Sequence, residues 1–146
     1  MAFHLLRILL FIFSILIIGI GLSFYILGPS VTFGMLLELS KPLLTNPGLI
    51  TDMATPNVDG EIRTLSPFLI SYGVLVMLAA KHLRTHLYYV PHLLAIFFAS
   101  GIGRLLSYYT QGEPHQLFYV LLSVELGVPT LLYLIYRMII AKLTKG

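Results

Sequence analysis

Four stretches of nearly unbroken apolar character, at 8–27, 62–80, 88–108 and 117–140, divide the chain, and short polar segments separate the last three. Each stretch is close to the roughly 20 apolar residues that carry an α-helix across a bilayer. The pattern therefore predicts one all-α integral membrane domain over 1–146, an antiparallel four-helix bundle. The connections at 81–87 and 110–116 are short, so helices 2, 3 and 4 are predicted to be sequential antiparallel neighbours. The first run reads as a retained helix and not as a signal peptide. It is long for such a segment, and no small-x-small cleavage site follows it in 23–29.

The one long connection, 28–60, contains Pro29, Pro42, Pro47 and Pro56. Its first part, 31–39, is apolar but too short to span, which predicts an interfacial or re-entrant helix stopped by Pro42. Asn46-Pro47-Gly48 and Asp59-Gly60 read as turns. The segment either caps the outer end of the bundle or is a flexible outer loop.

Composition agrees with lipid as the main solvent: 58% of residues are apolar and 10% charged, against about 25% charged in soluble domains. The absence of cysteine removes thiolate metal sites, iron–sulfur clusters and disulfide exchange. The net charge of +3 flanks apolar runs instead of lining a groove, so nucleic acid is not an expected partner. With the termini inside, Arg7, Lys81, Arg84, Arg137, Lys142 and Lys145 fall on the inner side and only Lys41 and Arg63 on the outer. The positive-inside rule then predicts a multi-pass protein with both termini cytoplasmic. Tyrosines near both ends of the spans read as aromatic belts. Only His92 lies well inside a span, which leaves no bis-histidine haem site. No Ser-His-Asp set can be placed at one depth, and no metal or other cofactor is expected.

Two charges interrupt the lipid-soluble runs: Arg104 and Glu125. A charge in mid-bilayer costs about 3 kcal/mol on insertion scales, so it persists when paired or functional. Ser100, Arg104, Ser107 and Tyr108 recur at helical spacing on one face of helix 3, beside a small-residue face of Ala95, Ala99 and Gly103 that lets a helix approach closely. Helix 3 is thus predicted to be the most protein-contacted helix, and the uncharged helix 1 the most lipid-exposed. On helix 4, Pro129 removes the backbone donor to the carbonyl of Glu125, so kink and charge coincide. At a 1.5 Å rise, Arg104 and Glu125 differ in depth by about 7 Å, and their side chains tilt toward each other. A direct or water-bridged pair is predicted; the alternatives are that Arg104 reaches the outer surface or finds other partners. Arg63 either joins them, leaving positive charge for a lipid phosphate or carboxylate, or pairs with Glu61, Asp59 or headgroups at the surface.

Glu61-Ile62-Arg63, Gly103-Arg104-Leu105-Leu106-Ser107, Gly112-Glu113-Pro114 and Glu125-Leu126 with Pro129 together resemble a family of small bacterial four-helix membrane proteins defined as a domain of unknown function and distantly like DoxX. The resemblance covers 59–136. It implies that Arg63, Arg104, Ser107 and Glu125 are the characteristic polar set, and it implies no reaction. Family members carry small glycines soon after the helix 2 arginine, where this chain has Ser66-Pro67-Phe68. The expected function is non-enzymatic: binding a lipid-like ligand, or serving as an accessory subunit beside a membrane-protein partner or a second copy. The competing readings are a membrane enzyme on a lipid, quinone or sterol-like substrate with Glu125 as acid/base, and a small proton-coupled transporter.

Overall fold

The computed structural model describes residues 2–45 and 48–144, and all regular structure among them is helical. The elements are α1 (Ala2–Leu27), α2 (Pro29–Ser40), α3 (Pro56–Lys81), α4 (Leu83–His86), α5 (Val90–Gln111) and α6 (Gln116–Leu143), with single 3-10 turns at Lys41–Leu43 and Leu87–Tyr89. Four segments are long and apolar enough to cross a membrane: α1, α3, Leu83–Gln111 and α6. Proline opens α2, α3 and α5, where its missing N–H would have had no helical partner. The His115 ring accepts from the Leu117 amide at 3.1 Å and caps α6.

The core is built from Leu6, Leu10, Phe13 and Ile17 of α1, Val76 and Ala80 of α3, Leu94 of α5, and Leu132, Ile135 and Ile139 of α6. Many large apolar side chains point outward instead, among them Ile8, Leu16, Phe68, Leu75, Leu106 and Leu134. Outward leucines and phenylalanines on every long helix match a lipid environment.

α1 and α3 meet along most of their length. A Cβ on Gly73 would sit 2.6 Å from Ile18 Cγ1, and one on Gly21 would sit 2.8 Å from Ile70 Cγ1, so the two backbones approach as only glycine allows. This corrects the expectation for helix 1. It has six fully buried residues, against three on α5. An uncharged helix needs no polar partner, but its apolar surface packs on protein as readily as on lipid.

The helix 3 expectation is corrected too. Ala95, Ala99 and Gly103 are exposed, and nothing lies within 4 Å of a Cβ placed on Gly103. α5 presents Gly101 and Arg104 to α6. The small-residue stripe lies roughly half a helical turn around from that face at 100° per residue, so seating Arg104 on Glu125 turns the stripe outward.

The long connection is more ordered than a flexible loop. Gly28, at φ 85°, reverses the chain between α1 and α2. α2 is then tied down by the Ser23–Thr32 hydroxyl pair at 2.8 Å and by Phe33, whose ring lies 5.0 Å from Phe24 and 5.4 Å from Phe118. Pro42 falls in the 3-10 turn that follows α2. Asp59-Gly60 is not a turn, because α3 begins six residues before position 62, at Pro56, and both residues lie in its first turns. The segment 81–87 is largely helical, as α4, and not an open hairpin loop. Asn46-Pro47 and Lys145 fall outside the described residues.

Candidate functional site

Arg104 and Glu125 form a two-pronged ion pair between α5 and α6. Arg104 Nε donates to Glu125 Oε2 at 2.8 Å, and Arg104 Nη2 donates to Oε1 at 2.6 Å. Both parallel bonds are charge-assisted, the strongest form a guanidinium and a carboxylate can adopt. About a quarter of the Arg104 side chain and a seventh of that of Glu125 remain exposed. Gly101 makes the approach possible, since a Cβ there would lie 2.7 Å from Leu126 and 3.2 Å from the Glu125 Cβ. The Arg104 guanidinium also lies over the Phe118 ring, 5.5 Å from its centre. Phe118 accepts at its carbonyl from the Tyr108 hydroxyl at 2.7 Å.

Beside the pair is a notch of about 370 Å³, lined by Ser100, Arg104, Ser107, Tyr108, Pro114 and Phe118. Four of the six residues expected to form the polar set line it directly, all of them on α5, and Glu125 of α6 holds the arginine from behind. The Ser100 hydroxyl donates to the Phe97 carbonyl at 2.6 Å. The Tyr108 and Tyr119 rings meet edge to face at 5.2 Å. The notch therefore combines hydroxyl groups, a neutralised guanidinium and aromatic faces.

The sixth residue, Arg63, is used elsewhere. Its Nε donates to Asp59 at 2.6 Å, and its Nη1 donates to the carbonyls of Tyr25 at 2.8 Å and Ile26 at 3.2 Å. Its guanidinium lies against Gly28, where a side chain would displace it. Arg63 is thus removed from the Arg104 neighbourhood by an acid one turn earlier on its own helix and by the carbonyls that end α1, which have no helical donors left. Of the two arrangements open to Arg63 from the sequence, it adopts the pairing with Asp59 and does not join Arg104 at Glu125, so its place in the polar set is corrected.

Phe118 was not singled out by sequence, although it was within reach, since it precedes Glu125 by seven residues and so shares its face of α6. Pro114 entered only as part of the resemblance motif, and Asp59 was named as one of several partners open to Arg63. Pro129 lies inside the continuous α6 one turn after Glu125, and the neighbouring Thr130 hydroxyl donates to the Leu126 carbonyl at 2.6 Å.

An ion pair between two lipid-compatible helices, beside a small polar notch, defines a helical domain with four helices long and apolar enough to cross a membrane. The chain belongs to the family described as domain of unknown function DUF4345, whose model matches residues 5–136. The match reaches well upstream of 59, so α1, α2 and the Arg63 contacts fall inside the family domain. Neither a curated protein nor a solved structure matches the chain.

Proposed function

We propose that this protein is a non-enzymatic, multi-pass component of the bacterial inner membrane that binds a lipid-like ligand in the notch beside Arg104. Its four long helices are an antiparallel bundle with both termini in the cytoplasm, a topology supported by the basic residues near one set of helix ends. The observation that carries the binding reading is the composition of the notch: Ser100, Ser107 and Tyr108 hydroxyls around a guanidinium whose charge Glu125 already balances, with Phe118 as an apolar wall. Such a lining suits the uncharged polar head of an amphiphile. It also counts against the acid/base reading, because both Glu125 oxygens already accept from Arg104 and only about a seventh of the side chain is exposed.

Native mass spectrometry on protein reconstituted with total bacterial lipid extract tests the proposal. Wild type should retain an added mass, and Ser107→Phe, which fills the notch from an exposed position and leaves the ion pair intact, should retain several-fold less. Equal retention by the two proteins would place any ligand elsewhere and end this reading.

A further inference from the structure

On the opposite side of α5 from the notch, an open groove of about 450 Å³ runs between α5 and α6. It is lined from Pro91 to Ile102 on α5, with Ala95 and Ala99 as its floor, and by Pro129, Thr130 and Tyr133 on α6. The only hydroxyl along its body, that of Thr130, is spent on the Leu126 carbonyl. The polar groups are at one end. Tyr133 lies there, and one turn further Arg137 directs Nη1 at the Tyr133 hydroxyl, 3.5 Å away.

Two quantities decide what fits. Pro91 to Ile102 spans about 16 Å of helix, close to half of a bilayer's roughly 30 Å hydrocarbon core. Spread over that length, 450 Å³ gives a strip about 27 Å² in section. The groove is as long as one leaflet. It is wide enough for a single hydrocarbon chain, whose carbons keep about 4 Å from their neighbours.

Charge then selects the head. Arg7, Lys81, Arg84, Arg137 and Lys142 lie toward the end of the molecule where α1 begins and α6 ends, and none has an ion-pair partner among the described residues. The chain's six acidic residues, Glu38, Asp52, Asp59, Glu61, Glu113 and Glu125, all lie elsewhere. An apolar channel of leaflet length that opens onto an unpaired guanidinium and a phenol complements one class of membrane molecule.

We propose that the α5–α6 groove holds an acyl chain of an anionic phospholipid, with Arg137, beside the Tyr133 hydroxyl, binding its phosphate. The site rests on the membrane reading but not on the notch, from which it is separated by the body of α5.

The test is a native mass spectrometric titration of the delipidated full chain with phosphatidylglycerol, phosphatidylcholine and inorganic phosphate. Phosphatidylglycerol should bind more tightly than phosphatidylcholine, and millimolar phosphate should not displace it. Arg137→Gln should weaken phosphatidylglycerol about fivefold, the effect of one basic side chain at an anionic surface, and weaken phosphatidylcholine less, because its choline already offsets the phosphate charge. Ala99→Leu, which fills the floor from an exposed position, should weaken both lipids. Arg7→Gln removes the same charge away from the groove and should change little. All three variants alter exposed side chains, and an unchanged melting temperature checks that they fold. Equal binding of the two lipids, indifference to Ala99→Leu, or a loss for Arg7→Gln as large as that for Arg137→Gln would overturn the site. So would a dimer that Ala99→Leu dissociates, because the groove would then belong to a second copy.

Discussion

The α1–α3 pair and the α5–α6 pair carry the same local device and put it to different ends. In each, a proline follows a charged residue by four positions: Pro67 after Arg63, and Pro129 after Glu125. Each proline withdraws the backbone donor from that residue's carbonyl. Each has a hydroxyl neighbour that donates to the adjacent carbonyl, Ser66 to Ile62 at 2.7 Å and Thr130 to Leu126 at 2.6 Å. In α3 the charged residue sits two turns from the helix start, and its charge is spent at the rim on Asp59 and the end of α1. In α6 it sits at a similar distance from the helix start, but no basic residue lies within a turn of it on its own helix, so its partner comes from across the interface. The α1–α3 seam is accordingly closed by glycines and apolar packing, whereas the α5–α6 pair is joined by an ion pair and left open on both flanks. Whether an opposite charge lies one turn away on the same helix, more than the motif around the proline, decides whether a charge acts as a rim contact or as part of a site.

The sharpest way to break this comparison is to remove one half of the deep pair. Arg104→Gln or Glu125→Gln leaves its former partner charged between two apolar helices, and each should destabilise the protein by about 3 kcal/mol. The double variant Arg104→Gln with Glu125→Gln should recover most of that loss, as an interaction term in a double-mutant cycle read by thermal melting in detergent. Additive losses would mean that the two side chains are not energetically coupled, and the distinction between the two helix pairs would go with them. If the double variant is stable but no longer retains ligand, the pair orients the notch as well as holding the helices.

Much of this arrangement was legible in the sequence. Run lengths gave the four long helices, and the meeting of Arg104 with Glu125 followed from counting rise from Gly112 and from the opposed tilt of the two side chains. What misled was inference from residue type about which face a helix buries. Ala95, Ala99 and Gly103 permit close packing but do not compel it; the ion pair fixes the rotation of α5 and leaves them outside. The glycines that do bring helices together, Gly21, Gly73 and Gly101, have no distinctive spacing, because their role depends on which residue of another helix lies opposite. Arg63 was ambiguous for a related reason. Its carbonyl acceptors at Tyr25 and Ile26 belong to the backbone, and backbone positions leave no trace in residue identity.

Glycine substitutions sharpen the contrast at intermediate size. Gly73→Ala places a methyl 2.6 Å from Ile18 Cγ1 and 3.2 Å from the Ile18 amide nitrogen, so helices or side chains must shift. Such overpacking costs about 1–3 kcal/mol, which exceeds the 0.5–1 kcal/mol gained from replacing a helical glycine. The net result should be a lower melting temperature. Gly103→Ala meets nothing within 4 Å and should show only the gain, about 0.5–1 kcal/mol. A loss at Gly103 as large as that at Gly73 would indicate that the stripe is covered in the membrane by a partner.

The smallest effect belongs to the rim. Asp59 and Arg63 are both about one-third exposed, at 34% and 37% of their side chains, and an ion pair open to water contributes little because solvent and ions screen it. Asp59→Asn removes the carboxylate charge but keeps the side chain's size. Arg63 can continue to donate to the Tyr25 and Ile26 carbonyls, where a cation also suits the negative end of α1. The melting temperature should therefore fall by less than for Gly73→Ala. The difference from wild type should shrink further in 1 M salt, where the Debye length drops to about 3 Å; the loss from Glu125→Gln, largely shielded from solvent ions, should persist. A salt-resistant loss for Asp59→Asn as large as that for Glu125→Gln would show that the rim contact holds the fold as firmly as the α5–α6 pair, and that a partner on the same helix is the wrong variable.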